Sequence, residues 1–153
     1  MTLTTFIQKW THPDYQPESV SAEALREVEQ HFQLLLPEAY KCAVLMYGLP
    51  RPTISLLHSI VEQNLDVHNV TNFYAPHEII SQTEGWRKAG MPKDLIAFAS
   101  DGSGNNHCFR LGDDVLASQV WFFDHDFVEV ELEAQDFDAW IESYCVINPV
   151  PWE

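Results

Sequence analysis

Residues 95–133 read LIAFASDGSGNNHCFRLGDDVLASQVWFFDHDFVEVELE, and this stretch decides the fold. Leu95-Ile96-Ala97-Phe98-Ala99 is an apolar run of buried-strand length that stops at the dense turn signal Asp101-Gly102-Ser103-Gly104-Asn105. Residues 107–111 return as a second strand, Gly112-Asp113-Asp114 turns again, and 120–123 form a third. After Asp124-His125-Asp126 the chain alternates. Phe127, Glu129, Glu131 and Glu133 fall on one side, and Val128, Val130 and Leu132 on the other. That period of two, apolar against acidic, is what a half-buried antiparallel strand requires.

Helical spacing dominates on either side of this meander. Phe6, Ile7 and Trp10 predict a short lead-in helix stopped by Pro13. Ser21 can cap a helix carrying Leu25, Val28 and Phe32 on one face. Pro37 reads as the first residue of the next helix, with Tyr40, Ala43, Val44 and Tyr47 as its buried stripe and Gly48 as its stop. Residues 53–61 and 65–70 lean towards β structure. Ile79, Ile80 and Trp86 suggest a helix over 76–87, and Phe137, Trp140, Ile141, Tyr144 and Cys145 share one face of a closing helix before Pro149. Helices, then an antiparallel meander, then a helix predict one α+β domain over residues 1–153.

The chain of 153 residues is 46% hydrophobic and 20% charged, too apolar for a disordered tail and without an uninterrupted membrane-length segment. Cys42, Cys108 and Cys145 are far apart and form no CxxC pair. With no export signal at the N-terminus, they point to a reducing, cytoplasmic setting. Net charge is −15 and unevenly distributed. Residues 1–100 carry 11 acids and 7 bases; residues 101–153 carry 12 acids and one base, Arg110. Such a chain repels nucleic acid and anionic membrane, which need clustered Lys and Arg. The acidity serves solubility alone or steers a basic partner.

Three constellations invite chemistry. Asp101-Gly102-Ser103-Gly104-Asn105 lacks the Lys and following helix of a phosphate loop; Gly102 and Gly104 fit a strand-to-strand turn, with Asp101 and Asn105 bonding local backbone. Asp124, His125 and Asp126, with Asp101 and His107, contain donors for an N/O metal site, yet Asp at a tight turn also satisfies free N–H groups. Ser103, Cys108 and His125 lack a nucleophile elbow, and a strand Cys is by default an inert thiol. The reading is therefore non-enzymatic, with no metal or cofactor. A small metal-dependent hydrolase using Asp101, Asp124, His125 and Asp126 is the alternative. Glu129, Glu131 and Glu133, joined by Asp113, Asp114, Asp136 and Asp138, are expected to form an acidic partner-binding face. Trp10 and Trp152 near the termini fit either interface anchors or local packing.

An ordered set of motifs carries a family likeness. Leu36-Pro37-Glu38-Ala39-Tyr40-Lys41 resembles the LPxxY/F-K helix start of the SUKH superfamily. Residues 92–105 resemble its P-x-D-L-I-x-I-A-x-D-G-x-G-N segment, and 120–126 its strand ending in a D-H-[DE] turn. Residues 134–141 are similar to its S-F-x-x-[FW]-L closing helix. The likeness covers about residues 21–146. Departures are Tyr47-Gly48-Leu49-Pro50, where an Asn-Gly-Gly-type turn is usual, and residues 50–73, which have no counterpart. The resemblance implies a mostly antiparallel twisted sheet of about five or six strands with helices packed on one face. It also implies a bacterial immunity protein that binds and neutralises a toxin, often a nuclease, whose phosphate-holding cleft is basic. A regulatory scaffold without a toxin partner is the alternative within the likeness, since a fungal branch contains cell-wall assembly regulators.

Overall fold

The computed structural model describes residues 2–112 and 118–151. Among these are six helices, α1 (Thr2–Trp10), α2 (Ala22–Phe32), α3 (Glu38–Tyr47), α4 (Ile54–Glu62), α5 (Pro76–Lys88) and α6 (Phe137–Cys145). Five strands, β1 (Asn72–Phe73), β2 (Leu95–Ser100), β3 (Asn106–Arg110), β4 (Val120–Asp124) and β5 (Glu129–Ala134), form one antiparallel sheet in the order β1-β2-β3-β4-β5. The α+β class, the antiparallel pairing and the strand number are as expected.

Local signals set the helix ends. Ser21 Oγ accepts from Ala24 N at 3.1 Å, and Asp136 caps α6 by accepting from Ala139 N at 2.7 Å. Pro37 sits one residue before α3, and Gly48 ends that helix at φ +83°. A side chain at Gly48 would meet the Glu18 carbonyl oxygen at 2.8 Å, so the stop is also a close backbone approach.

The core is aromatic. Tyr40 from α3 meets Phe98, Phe109 and Phe137 at ring distances of 5.7, 5.1 and 5.3 Å, while Phe98 stacks on Phe109 at 4.0 Å. Trp140 of α6 packs edge-on to Phe98 at 5.1 Å, and Phe6 of α1 reaches Phe73 and Tyr144. These contacts seat α1, α3 and α6 on the sheet face bearing Phe98 and Phe109. Trp10, buried, donates its Nε1–H to the Tyr144 carbonyl at 3.0 Å and so belongs to local packing. Trp152 lies outside the described residues.

One expectation fails. Residues 53–61 are not β-leaning structure but α4, whose Leu56, Ser59 and Ile60 point inward. β-branched Ile54 and Val61 lower helix propensity only slightly, and packing of the inner stripe outweighs that. Residues 65–70 are irregular, and the short β1 that follows was not anticipated.

Helix α5 lies along the outer side of β2. Thr83 Oγ1 accepts the Ala97 N–H at 2.9 Å, and Arg87 Nη2 donates to the carbonyls of Lys93 (2.6 Å) and Leu95 (3.3 Å). β1 covers only the far end of β2, pairing Asn72 with Ser100 and Phe73 with Ala99. β5 lies at the opposite edge, paired only with β4 among the described strands.

Candidate protein-binding surface

Two turns lock together at one end of the sheet. Asp101 Oδ1 accepts from Ser103 N (2.8 Å) and Asn105 N (3.1 Å), and its Oδ2 accepts from Asn105 Nδ2 (2.9 Å). Gly102 and Gly104 adopt φ +87° and +93°. Asn105 Oδ1 then accepts from both His125 N (3.0 Å) and His125 Nδ1 (2.6 Å). The His125 ring lies so close over Gly104 that an added Cβ would sit 2.9 Å from Cε1. Asp124 Oδ1 accepts from Asp126 N at 2.9 Å. The Asp-Gly-x-Gly-Asn and Asp-His-Asp segments are thus one device that fixes the β4–β5 hairpin.

Ligand atoms of Asp124, His125 and Asp126 lie within 4.8 Å of one another. Their geometry already has a local use: Asp124 Oδ1 serves the turn and His125 Nδ1 serves Asn105. Asp101 is turned into its own loop, and His107 is directed to Glu133 instead. Of the residues named for a metal site, Asp124, His125 and Asp126 are thus brought together, while Asp101 and His107 are directed elsewhere. Cys108 is fully buried, and burial pushes its thiol well above its ordinary value, so the Ser103–Cys108–His125 reading gains no thiolate.

The acidic segment differs from its sequence pattern at three positions, Val128, Leu132 and Glu133, the first of which is 52% exposed. Glu129 and Glu131 are exposed, but the Glu133 side chain is only 8% exposed, while Leu132, assigned to the buried side, is 41% exposed. His107 pairs with Phe122 and Phe122 with Glu131, so Glu131 and, by alternation, Glu133 lie on the sheet face that bears His107, and His107 takes up the Glu133 carboxylate there. Val120 pairs with Ala134 and Trp121 with Leu132, leaving Glu133 as the extra residue of a bulge.

His107 has no exposure, and its Nδ1 lies 2.5 Å from Glu133 Oε1. Its Nε2 lies 2.9 Å from the Asn69 carbonyl oxygen, which can only accept, so Nε2 carries a proton. Burial opposes charge on the ring, but the Glu133 carboxylate and the Asn69 carbonyl outweigh it and raise the His107 pKa. One strand position away, His68 stacks on Phe122 with ring centroids 3.6 Å apart, and its Nε2 is 2.6 Å from Glu131 Oε1. Two His–Glu pairs thereby fasten residues 68–69 to the sheet.

Asp136 and Asp138 are exposed at the start of α6, where Asp138 Oδ1 also accepts from Thr2 Oγ1 at 3.1 Å. Asp113 and Asp114 lie outside the described residues. Arg110 is paired with Asp94 at 2.7 Å and held 4.5 Å from the Trp121 ring centroid, so it is not a free cation beside the acids. The structure thus gathers Glu129 and Glu131 on the β5 strand and withdraws Glu133 from the surface. Sequence reasoning missed the His107–Glu133 pair. Its one signal was a histidine beside Cys108 and Phe109 in a strand.

Fold and surface together define a small α+β domain with a fixed hairpin and an acidic edge, without an assembled catalytic centre among the described residues. Residues 19–143 match the SMI1 / KNR4 family (SUKH-1), and the chain belongs to that family. Comparison with curated proteins gave no match. The family supports an immunity-type or SMI1-like protein-binding domain, and its members are generally non-catalytic immunity or regulatory proteins. No described helix is long and apolar enough to cross a membrane.

Proposed function

We propose that this protein is an immunity protein that neutralises a cognate toxin, a nuclease or another enzyme with a basic cleft, by covering that cleft. The observation that carries the reading is the charge of residues 101–153, 12 acids against one base, with Glu129 and Glu131 exposed on one strand. A nuclease must hold phosphates and so presents clustered Lys and Arg, which such a surface complements. Exposed Asp126, Asp136 and Asp138 add to the same field, as do Asp113 and Asp114 by sequence. The protein needs no chemistry of its own, metal or cofactor for this task. It acts where the toxin would strike, in the cytoplasm.

The test is purification of the protein from its native host with whatever it binds, followed by assay of the bound protein's activity with and without it. A stoichiometric complex with a basic partner, silent when bound and active when freed, supports the reading. An acidic partner, or one equally active in the complex, overturns it. A partner with no toxic activity would favour the regulatory scaffold.

A further inference from the structure

The sheet treats its two edges differently. Beside β2 the backbone is met by Thr83 and Arg87 of α5, and β1 is only two residues long. β5 offers six residues, Glu129-Val130-Glu131-Leu132-Glu133-Ala134, whose outer side is paired with no described strand or helix. It carries no Pro, and what guards it is charge, the exposed Glu129 and Glu131, with a bulge at Glu133. We propose that the free edge of β5 docks an extended segment of the partner protein, alternating basic and apolar residues, which joins the sheet as a further strand.

The alternation on β5 selects that occupant. Directly opposed residues of an antiparallel pair project on the same face. A second copy of β5 could therefore pair in two ways only. One register sets Glu129 and Glu131 against glutamates, which repel; the other sets them against Val130 and Leu132, which leaves carboxylates against apolar side chains. A strand with Lys or Arg at every second position matches both faces at once. Its cations lie against Glu129 and Glu131, and its apolar residues extend the surface of Val130 and exposed Leu132. Phe127 and Val128 are also exposed, in the turn before β5, whose conformation Asp124 and Asn105 hold. Backbone pairing supplies affinity and the alternating side chains supply selection.

This inference rests on the protein-binding reading, but its probe is synthetic, so its failure leaves the neutralisation test untouched. The intact isotope-labelled protein is titrated with a peptide alternating lysine and valine over the length of β5. Amide shifts and hydrogen exchange are followed by NMR. The lysine peptide is expected to shift residues 129–134 and to slow their outward amides. N-methylating one edge of the peptide, or charge reversal by Glu129→Lys with Glu131→Lys in a variant whose spectrum stays folded, should weaken binding at least about tenfold. The proposal is overturned if the N-methylated peptide binds equally, if shifts cluster away from β5, if no binding is seen, or if the edge is already protected by self-association.

Discussion

At one edge of the sheet, β1 contributes two residues, and α5 meets the β2 backbone at Ala97 and Leu95 through Thr83 and Arg87. At the other, β5 runs for six residues with its outer side open among the described elements. Open edges template unwanted pairing, and proteins blunt them by cover, brevity or charge. Here cover and brevity guard the β2 side, and charge guards β5. The distinction matters because cover blocks every partner, whereas glutamates block only the wrong ones. Beneath its surface β5 is also anchored, through the buried Glu133–His107 pair and the turn lock at His125. It is an anchored edge that is nonetheless available.

The largest stability effect should come from the anchor. Glu133→Ala leaves a buried imidazole without its partner and should cost about 3–5 kcal/mol in denaturant unfolding. Its pH signature has a definite sign. Because the folded His107 pKa is raised, the pair's contribution is full below the unfolded value of about 6.5 and is lost as pH rises through the folded pKa. Wild-type stability should therefore fall over that rise. In the variant burial, which depresses the pKa, meets less opposition, and the slope should flatten or invert. An unchanged slope would detach His107 from Glu133.

Next comes the covered edge. Thr83→Val removes the acceptor of the Ala97 N–H while keeping side-chain shape, and should cost about 1–3 kcal/mol. A neutral result would mean that α5 guards β2 by bulk alone. Gly104→Ala, at φ +93° and against the His125 ring, should cost about 1–2 kcal/mol and loosen the hairpin, visible as faster amide exchange at 124–129. Smallest in stability is the open edge. Glu129→Gln with Glu131→Gln should change it by no more than about 0.5 kcal/mol, since the side chains are exposed.

Much of this was legible in the sequence. Turn-rich punctuation at 101–105 and 124–126 fixed the meander, because Gly at positive φ and Asp bonding its own loop are local properties. The inner face of α6 was readable, since the five residues placed on it, Phe137, Trp140, Ile141, Tyr144 and Cys145, are all buried. Residues 53–61 misled because β-branched composition is a weak preference, and the inner stripe of Leu56, Ser59 and Ile60 acquires meaning only once there is a core to face. The acidic strand was read as uniform for a related reason. Period-two alternation gives the face on which Glu133 lies but not what covers it, and the buried His107 two strands away that takes it up is a property of the sheet, not of β5 alone. Nor can a sequence say which strand ends a sheet, so the open edge became visible only in the fold.

The central claim is that Glu129 and Glu131 on this open edge draw in a basic partner. Stopped-flow association of the cognate partner with the wild-type protein and with the Glu129→Gln, Glu131→Gln variant, across ionic strength, tests it most directly. The account predicts fast wild-type association that slows as salt rises, and a slower, flatter response in the variant with its fold intact. Association indifferent both to salt and to the two substitutions would contradict it.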